Sequence, residues 1–203
     1  VALNKEIEIK WSGESVERSI FNKAIRKYAK GKKFSKVVAV GFDYYYTSKN
    51  GYVMRHRHGA NTNELTVKAR ISEQSTTVRK ETNIKIAKSA SPIQIQEFCK
   101  ELGFGKVLPV YKDCDIYFIQ DGKYLVDVVW YRVSCNRVNH PRVFLEVEVH
   151  NAPERASLAI LNKWKAFMLK NFELNDKDVI NESLYEIYSG NRYRMSPSTG
   201  KNK

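Results

Sequence analysis

The sequence predicts an α+β domain in which eight antiparallel strands carry helices on the outside. Three observations lead there. Apolar and polar residues alternate with period two in eight runs, at about 4–11, 36–47, 51–58, 64–72, 77–86, 106–119, 122–133 and 142–150. Turns between neighbouring runs are short: Asn50-Gly51, Asp121-Gly122 and the longer polar Asn61-Thr62-Asn63, all of which favour antiparallel neighbours. Helical repeats interrupt the runs at four places.

The elements follow in order. In the first run Glu6, Glu8 and Lys10 share one face, and Ile7, Ile9 and Trp11 the other. Residues 14–30 read as a helix, with Val16, Ile20, Ala24 and Tyr28 at four-residue spacing. The second run ends in Tyr44-Tyr45-Tyr46. The third puts Arg55 and Arg57 on one face, with His56 and His58 on the outer one. In the fourth, Glu64, Thr66, Lys68 and Arg70 oppose Leu65, Val67, Ala69 and Ile71; Glu64 reads as a rim charge. Ser91-Pro92 opens a short helix through Cys99, closed by Gly103. In the eighth run Glu146 and Glu148 oppose Leu145, Val147 and Val149, and His150 keeps the inward phase and reads as a rim histidine. Pro153 opens a longer helix whose stripe of Leu161, Trp164 and Met168 reads as core packing. A last helix is expected from about Asp176 to Tyr188. One domain therefore spans 1–190, and 191–203 form a basic, frayed tail.

Composition sets the bounds. A chain of 203 residues with 42% apolar and 12% aromatic content can bury a sizeable core and is not disordered. No apolar run reaches the ~18 residues of a membrane span. The first residues carry no secretory signal, and Cys99, Cys114 and Cys135 lack metal-ligand spacing, so a cytoplasmic protein with reduced thiols is expected. The net charge of +13 asks for an anionic partner. Its placement sharpens the partner. A solvated strand face mixes Thr, Ser, Lys and Gln, whereas here carboxylates pair at i, i+2 on two distant strands and arginines on a third. Paired glutamates suit a divalent cation, and paired arginines suit phosphate.

At Glu6-Ile7-Glu8-Ile9-Lys10 the chain resembles the CYTH family of triphosphate tunnel enzymes, which carries E-x-E-x-K near its N-terminus. Later segments keep the family's order. Gly51 to Arg57 resembles its L-R-x-R strand, Glu64 to Lys68 its L-T-x-K strand and Arg79-Lys80-Glu81 its R-x-E strand. Lys112 matches the first residue of K-x-R, and Leu125-Val126-Asp127 resembles the L-D element. Glu146-Val147-Glu148 resembles the late E-x-E strand, and Ser183-Leu184-Tyr185 the closing helix, so the match runs from 5 to about 188.

The resemblance implies an eight-stranded closed antiparallel β-barrel, a tunnel with charges inside. It implies Mg²⁺ or Mn²⁺ held by Glu6, Glu8, Glu146 and Glu148, with Asp127 and Glu81 as further ligands. Lys10, Arg55, Arg57, Lys68, Arg79 and Lys112 would clamp a small triphosphate, and Lys10, Glu146 and Glu148 would serve catalysis. The leading activity is hydrolysis of inorganic triphosphate, thiamine triphosphate or a nucleotide. Adenylyl cyclisation, removal of an RNA 5′ phosphate and non-catalytic binding stand as alternatives, with nucleic acid the less favoured partner. The second basic residue of K-x-R is Cys114 here, for which Arg70 or Arg132 would have to substitute. The stretch from Tyr131 to Arg142 is long for the last hairpin and reads as a lid or a loop.

Overall fold

A computed structural model describes residues 5–49, 52–70, 77–137 and 140–190, with backbone alone at 5–6, 68–70 and 77–81. The Asn50-Gly51 turn and the tail 191–203 lie outside the described residues. Eight strands follow the expected order: β1 (Lys5–Ser12), β2 (Phe34–Ser48), β3 (Val53–Gly59), β4 (Thr62–Arg70), β5 (Thr77–Lys85), β6 (Phe104–Asp121), β7 (Tyr124–Ser134) and β8 (Arg142–His150). Four helices accompany them: α1 (Arg18–Tyr28), α2 (Pro92–Glu101), α3 (Glu154–Phe172) and α4 (Leu184–Ser189).

All described strands form one antiparallel sheet in the order β5-β4-β3-β2-β6-β7-β8-β1. A further pairing joins β1 to β5, with Glu6 opposite Arg79 and Glu8 opposite Thr77. The longest ladder runs between β2 and β6, from Phe34 opposite Ile119 to Ser48 opposite Phe104. Pro109 lies in β6 where the ladder to β7, which begins at Tyr111, has already ended. Its missing N–H therefore costs no bond on that side.

The end of the chain departs from expectation. A continuous helix over 176–188 is replaced by a 3-10 turn (Asp176–Asp178), a two-residue strand β9 (Val179–Ile180) and the short α4. Local chemistry explains the breaks. The Asn175 side chain accepts from Lys177 N at 2.9 Å, and the Asp178 carboxylate accepts from Asn175 N at 2.8 Å, which ends one turn. Val179 and Ile180, both β-branched, then pair with Trp11 and Lys10 of β1. Ser183 starts a new helix by a reciprocal cap with Glu186. The 131–142 stretch also resolves: β7 continues to Ser134, leaving a connection of ordinary length.

The helices cover only part of the outer face. Ile7, Ile9 and Trp11 of β1, Val126, Val128 and Trp130 of β7, and Leu145, Val147 and Val149 of β8 pack under α1 and α3, where Phe21, Ile25, Leu161, Trp164 and Met168 are buried. A smaller cluster seats α2 on Tyr46 and Met54. Outer-face Val38 and Val40 of β2, Val67 of β4 and Ile84 of β5 remain exposed. The expectation of an apolar face buried under helices holds for β1, β7 and β8 and fails for these strands.

One ionic cluster pins α1 to the sheet. Arg18 reaches Asp115 with Nε at 2.9 Å and Nη2 at 2.8 Å, and Asp113 with Nη1 at 2.8 Å. Asn22 and Lys36 add bonds to the same Asp115 carboxylate at 2.6 and 2.9 Å. Burial pushes the Asp115 carboxyl up, but the bonds from Arg18, Asn22 and Lys36 outweigh it and hold the group below the usual carboxylate range. A carboxyl depressed in the native state stabilises fully above its unfolded pKa of about 4, and that contribution is lost as pH falls toward the native value. Asp115→Ala should lower unfolding free energy by about 3 kcal/mol near neutral pH. The gap to wild type should narrow near pH ~3. Urea unfolding of both proteins at the two pH values checks this, and a gap that stays constant in acid contradicts it.

Candidate functional site

Period-two alternation turns one face of each strand toward a shared interior, and the charged residues meet there. A cavity of about 260 Å³ is lined by Glu8 and Lys10 of β1, Asp43 of β2, Arg55 and Arg57 of β3, Lys112 of β6, Asp127 of β7, and Glu146, Glu148 and His150 of β8. Register produces the grouping. Glu8 lies opposite Glu148 and Lys10 opposite Glu146. Asp127 lies opposite Glu148 on the other side of β8. Three adjacent strands therefore build an acidic wall, and β2, β3 and β6 face it with Asp43, Arg55, Arg57 and Lys112.

In the acidic wall, oxygens of Glu8, Glu146 and Glu148 lie within 4.8 Å of one another, and so do ligand atoms of Asp127, Glu148 and His150. Carboxylates this close repel unless a cation sits among them. Lys10 is one such cation. Its Nζ lies 3.4 Å from both Glu8 and Glu146, and it is 4% exposed. The predicted phosphate ligand Lys10 thus stands within the acidic wall. Tyr131 donates to Glu146 Oε2 at 3.0 Å. Burial, followed by the Glu146 charge, holds this phenol well above its ordinary value, so it stays a neutral donor. The oxygen-rich donor set fits a hard divalent ion.

The basic wall is organised by an acid. Arg57 bonds Asp43 through Nε at 2.9 Å and Nη2 at 3.2 Å, and Lys112 approaches the same carboxylate at 3.8 Å. Burial pushes Asp43 up, but Arg57, Lys112 and Arg55 outweigh it and keep the group ionised far below the usual range. Arg55 bonds Thr66 at 3.0 Å and lies 3.8 Å from Glu64. Glu64 therefore belongs to the cavity and is no mere rim charge. Glu6, Lys68, Arg79 and Glu81 have side chains outside the described residues, although the backbone sets Glu6 opposite Arg79 and Lys68 opposite Glu81.

Asp43 and Tyr131 escaped sequence reasoning. Each keeps the inward phase, Asp43 with Tyr45 and Tyr131 with Asp127, and that phase was the available signal. Arg132 does not replace the missing basic residue. It is exposed beside Trp130 on the outer face, with its guanidinium 5.8 Å from the ring. His56 lies on the outer face as expected but is fully buried, its Nε2 2.7 Å from the Asn63 amide oxygen.

The interior changes character along its length. At one end α4 fills it: Leu184, Tyr185 and Tyr188 pack with Tyr45, Val53, Leu108, Val110 and Phe144. Toward the other end a second space of about 260 Å³ shares Asp43, Arg57, Lys112 and the acidic wall but adds Ala39, Ile116, Phe118 and Val129. Cys114 lies here too, its thiol pushed up by burial. Gly41 faces Gly59 at this end, where an added Cβ on Gly41 would stand 2.4 Å from the His58 carbonyl oxygen. A larger groove of about 800 Å³ lies outside, lined by Lys49, Lys100, Lys106 and Arg137 with Tyr185 and Ser189 of α4. It carries cations without carboxylates, so it cannot hold a metal in the same way.

No protein-family model and no curated protein sequence matches the chain. Solved structures do. The PH1012 protein of Pyrococcus horikoshii matches with a TM-score of 0.66 and 24% identity over 89% of this chain and 98% of its own. A Bacillus halodurans protein provisionally named an adenylate cyclase matches with a TM-score of 0.52 and 12% identity over 91% and 98%. The Schizosaccharomyces pombe RNA triphosphatase Pct1 matches with a TM-score of 0.50 and 12% identity over 86% and 87%. Likeness at these identities is a likeness of fold. The chain has the triphosphate-tunnel fold that its CYTH resemblance implied.

Proposed function

We propose that the protein is a divalent-metal-dependent hydrolase of a triphosphate held between the two walls, in a sheet that closes into a tunnel. The observation that carries this reading is the separation of charge within one cavity. Glu8, Glu146 and Glu148 stand on one side, and Arg55, Arg57 and Lys112 on the other. A triphosphate near neutral pH needs both cationic side chains and a metal. Under this reading Glu8, Glu146, Glu148 and Asp127 would hold Mg²⁺ or Mn²⁺, with Glu6 and Glu81 as further expected ligands. The ion would polarise a phosphoryl oxygen.

The chain's own residues do the positioning. Arg55, Arg57 and Lys112, with Lys68 and Arg79 as expected partners, bind phosphate oxygens and spread the developing charge. Asp43 fixes the Arg57 fork and keeps Lys112 close, so the basic wall is set before the substrate arrives. Lys10 holds Glu8 and Glu146 in place. A carboxylate of the Glu146/Glu148 pair accepts the proton of the attacking water. The new P–O bond forms at the terminal phosphorus as the bridging bond to the leaving phosphate breaks. Tyr131, through its bond to Glu146, fixes that carboxylate's orientation.

One observation favours a substrate with an organic group over inorganic triphosphate. The apolar side chains Ala39, Ile116, Phe118 and Val129 line space continuous with the charged cavity, and a bare polyphosphate would gain nothing from them. Cyclisation of a nucleoside triphosphate uses the same two walls and is the second reading.

Two experiments test the proposal. Glu8→Gln should reduce metal-dependent phosphate release by at least about a hundredfold, or ~2.7 kcal/mol, with circular dichroism unchanged. A screen with Mg²⁺ or Mn²⁺ across inorganic triphosphate, thiamine triphosphate and ATP reads release, and full activity of the variant at limiting metal counts against the acidic wall. Asp43→Asn frees the Arg57 fork. It should raise KM by about tenfold, the scale of one charge-assisted bond, with a smaller change in kcat. Unchanged KM in that variant would remove the basic wall from substrate binding.

A further inference from the structure

The acidic wall extends outward beyond Glu8 and Glu146. His150 follows Glu148 at i+2 on β8 and so shares its inward face. Its Nε2 lies 3.0 Å from Asp127 Oδ2, and its Nδ1 lies 3.3 Å from Glu148 Oε1. Ligand atoms of Asp127, Glu148 and His150 all fall within 4.8 Å of one another. The second oxygen of the same aspartate, Asp127 Oδ1, is buried with no hydrogen-bond partner among the described residues. A buried carboxylate oxygen without a donor calls for an explanation, and a cation is one that these neighbours can supply.

We infer that Asp127, Glu148 and His150 form a second divalent-cation site, outward of the Glu8/Glu146/Glu148 group, and that its imidazole nitrogen makes it select a transition-metal ion such as Mn²⁺ over Mg²⁺. The inference rests on the reading of the acidic wall as a cation site and adds to it a separate position and a separate chemistry. Glu148 belongs to both groups, so two ions would share it. The outer group is the wetter one: His150 is 30% exposed and Asp127 16%, against 4% for Glu8. Water can therefore complete its coordination shell. The donor types differ as well. The inner group offers oxygen alone, which suits Mg²⁺, while an imidazole beside two carboxylates suits Mn²⁺ and later first-row ions.

The probe is Mn²⁺ itself, titrated into the full chain and followed by electron paramagnetic resonance, with pulsed detection of coupling to ¹⁴N. Wild type should show bound Mn²⁺ with imidazole-nitrogen coupling. His150→Gln should abolish the coupling and weaken Mn²⁺ binding at one position by at least about tenfold, the scale seen when a metal site's supporting contacts are lost. Mg²⁺ affinity should stay nearly constant, and circular dichroism reports that the variant is folded. Bound Mn²⁺ that is weakened by Glu8→Gln but shows no nitrogen coupling overturns the outer site and leaves the inner one standing. Coupling that persists in His150→Gln does the same. Absence of any Mn²⁺ binding to wild type overturns the cation reading of the whole wall, and the outer site with it.

Discussion

The position of β8 between β7 and β1 is the constraint on which the rest of the interior depends. Its register sets Glu148 between Asp127 and Glu8, and Glu146 beside Lys10. Side chains in a strand alternate faces, so a one-residue slip of β8 would send both glutamates outward and bring Leu145, Val147 and Val149 into the cavity. Burial of those same residues under α1 and α3 opposes the slip. The hydrophobic core thus enforces an arrangement of carboxylates that electrostatics alone would disperse. Lys10, lodged between Glu8 and Glu146, offsets part of the remaining repulsion.

The opposite wall obeys a different logic. Two arginines and a lysine converge there, and a buried aspartate keeps them from flying apart. Asp43 is 2% exposed and touches Arg57 and Lys112. A basic wall made of cations alone would be soft, each side chain leaning toward water. With Asp43 at its centre the wall is rigid and still carries a surplus of positive charge.

Much of this was legible in the residues, and the reason is geometric. Strand periodicity is local, so the inward phase of Glu8, Lys10, Arg55, Arg57, Glu146 and Glu148 could be read two residues at a time. The number of long strands and the packing role of Leu161, Trp164 and Met168 followed from the same kind of evidence. What escaped was non-local. Asp43 gains its role from Arg57, fourteen residues away along the chain. Tyr131 gains its role from Glu146 across a strand pair. The final segment misled because its apolar spacing suits one helix, while two caps and a pair of β-branched residues favour three short elements. Helix coverage of the outer face could not be read at all, since alternation shows that a face is apolar and not what lies over it.

The packing of α4 into one end of the interior makes the cavity a blind alley. Leu184, Tyr185 and Tyr188 occupy that end against Tyr45, Val53 and Phe144. A guest cannot thread through; it backs out the way it came. A linear anion is therefore measured from its tip, because the stopper fixes how deep the leading group goes. Chains of different length would present the same terminal phosphate to the same wall, with any excess projecting past Ile116 and Phe118 toward solvent. Processive digestion along a polymer would then demand complete withdrawal of the cleaved fragment before each new cut.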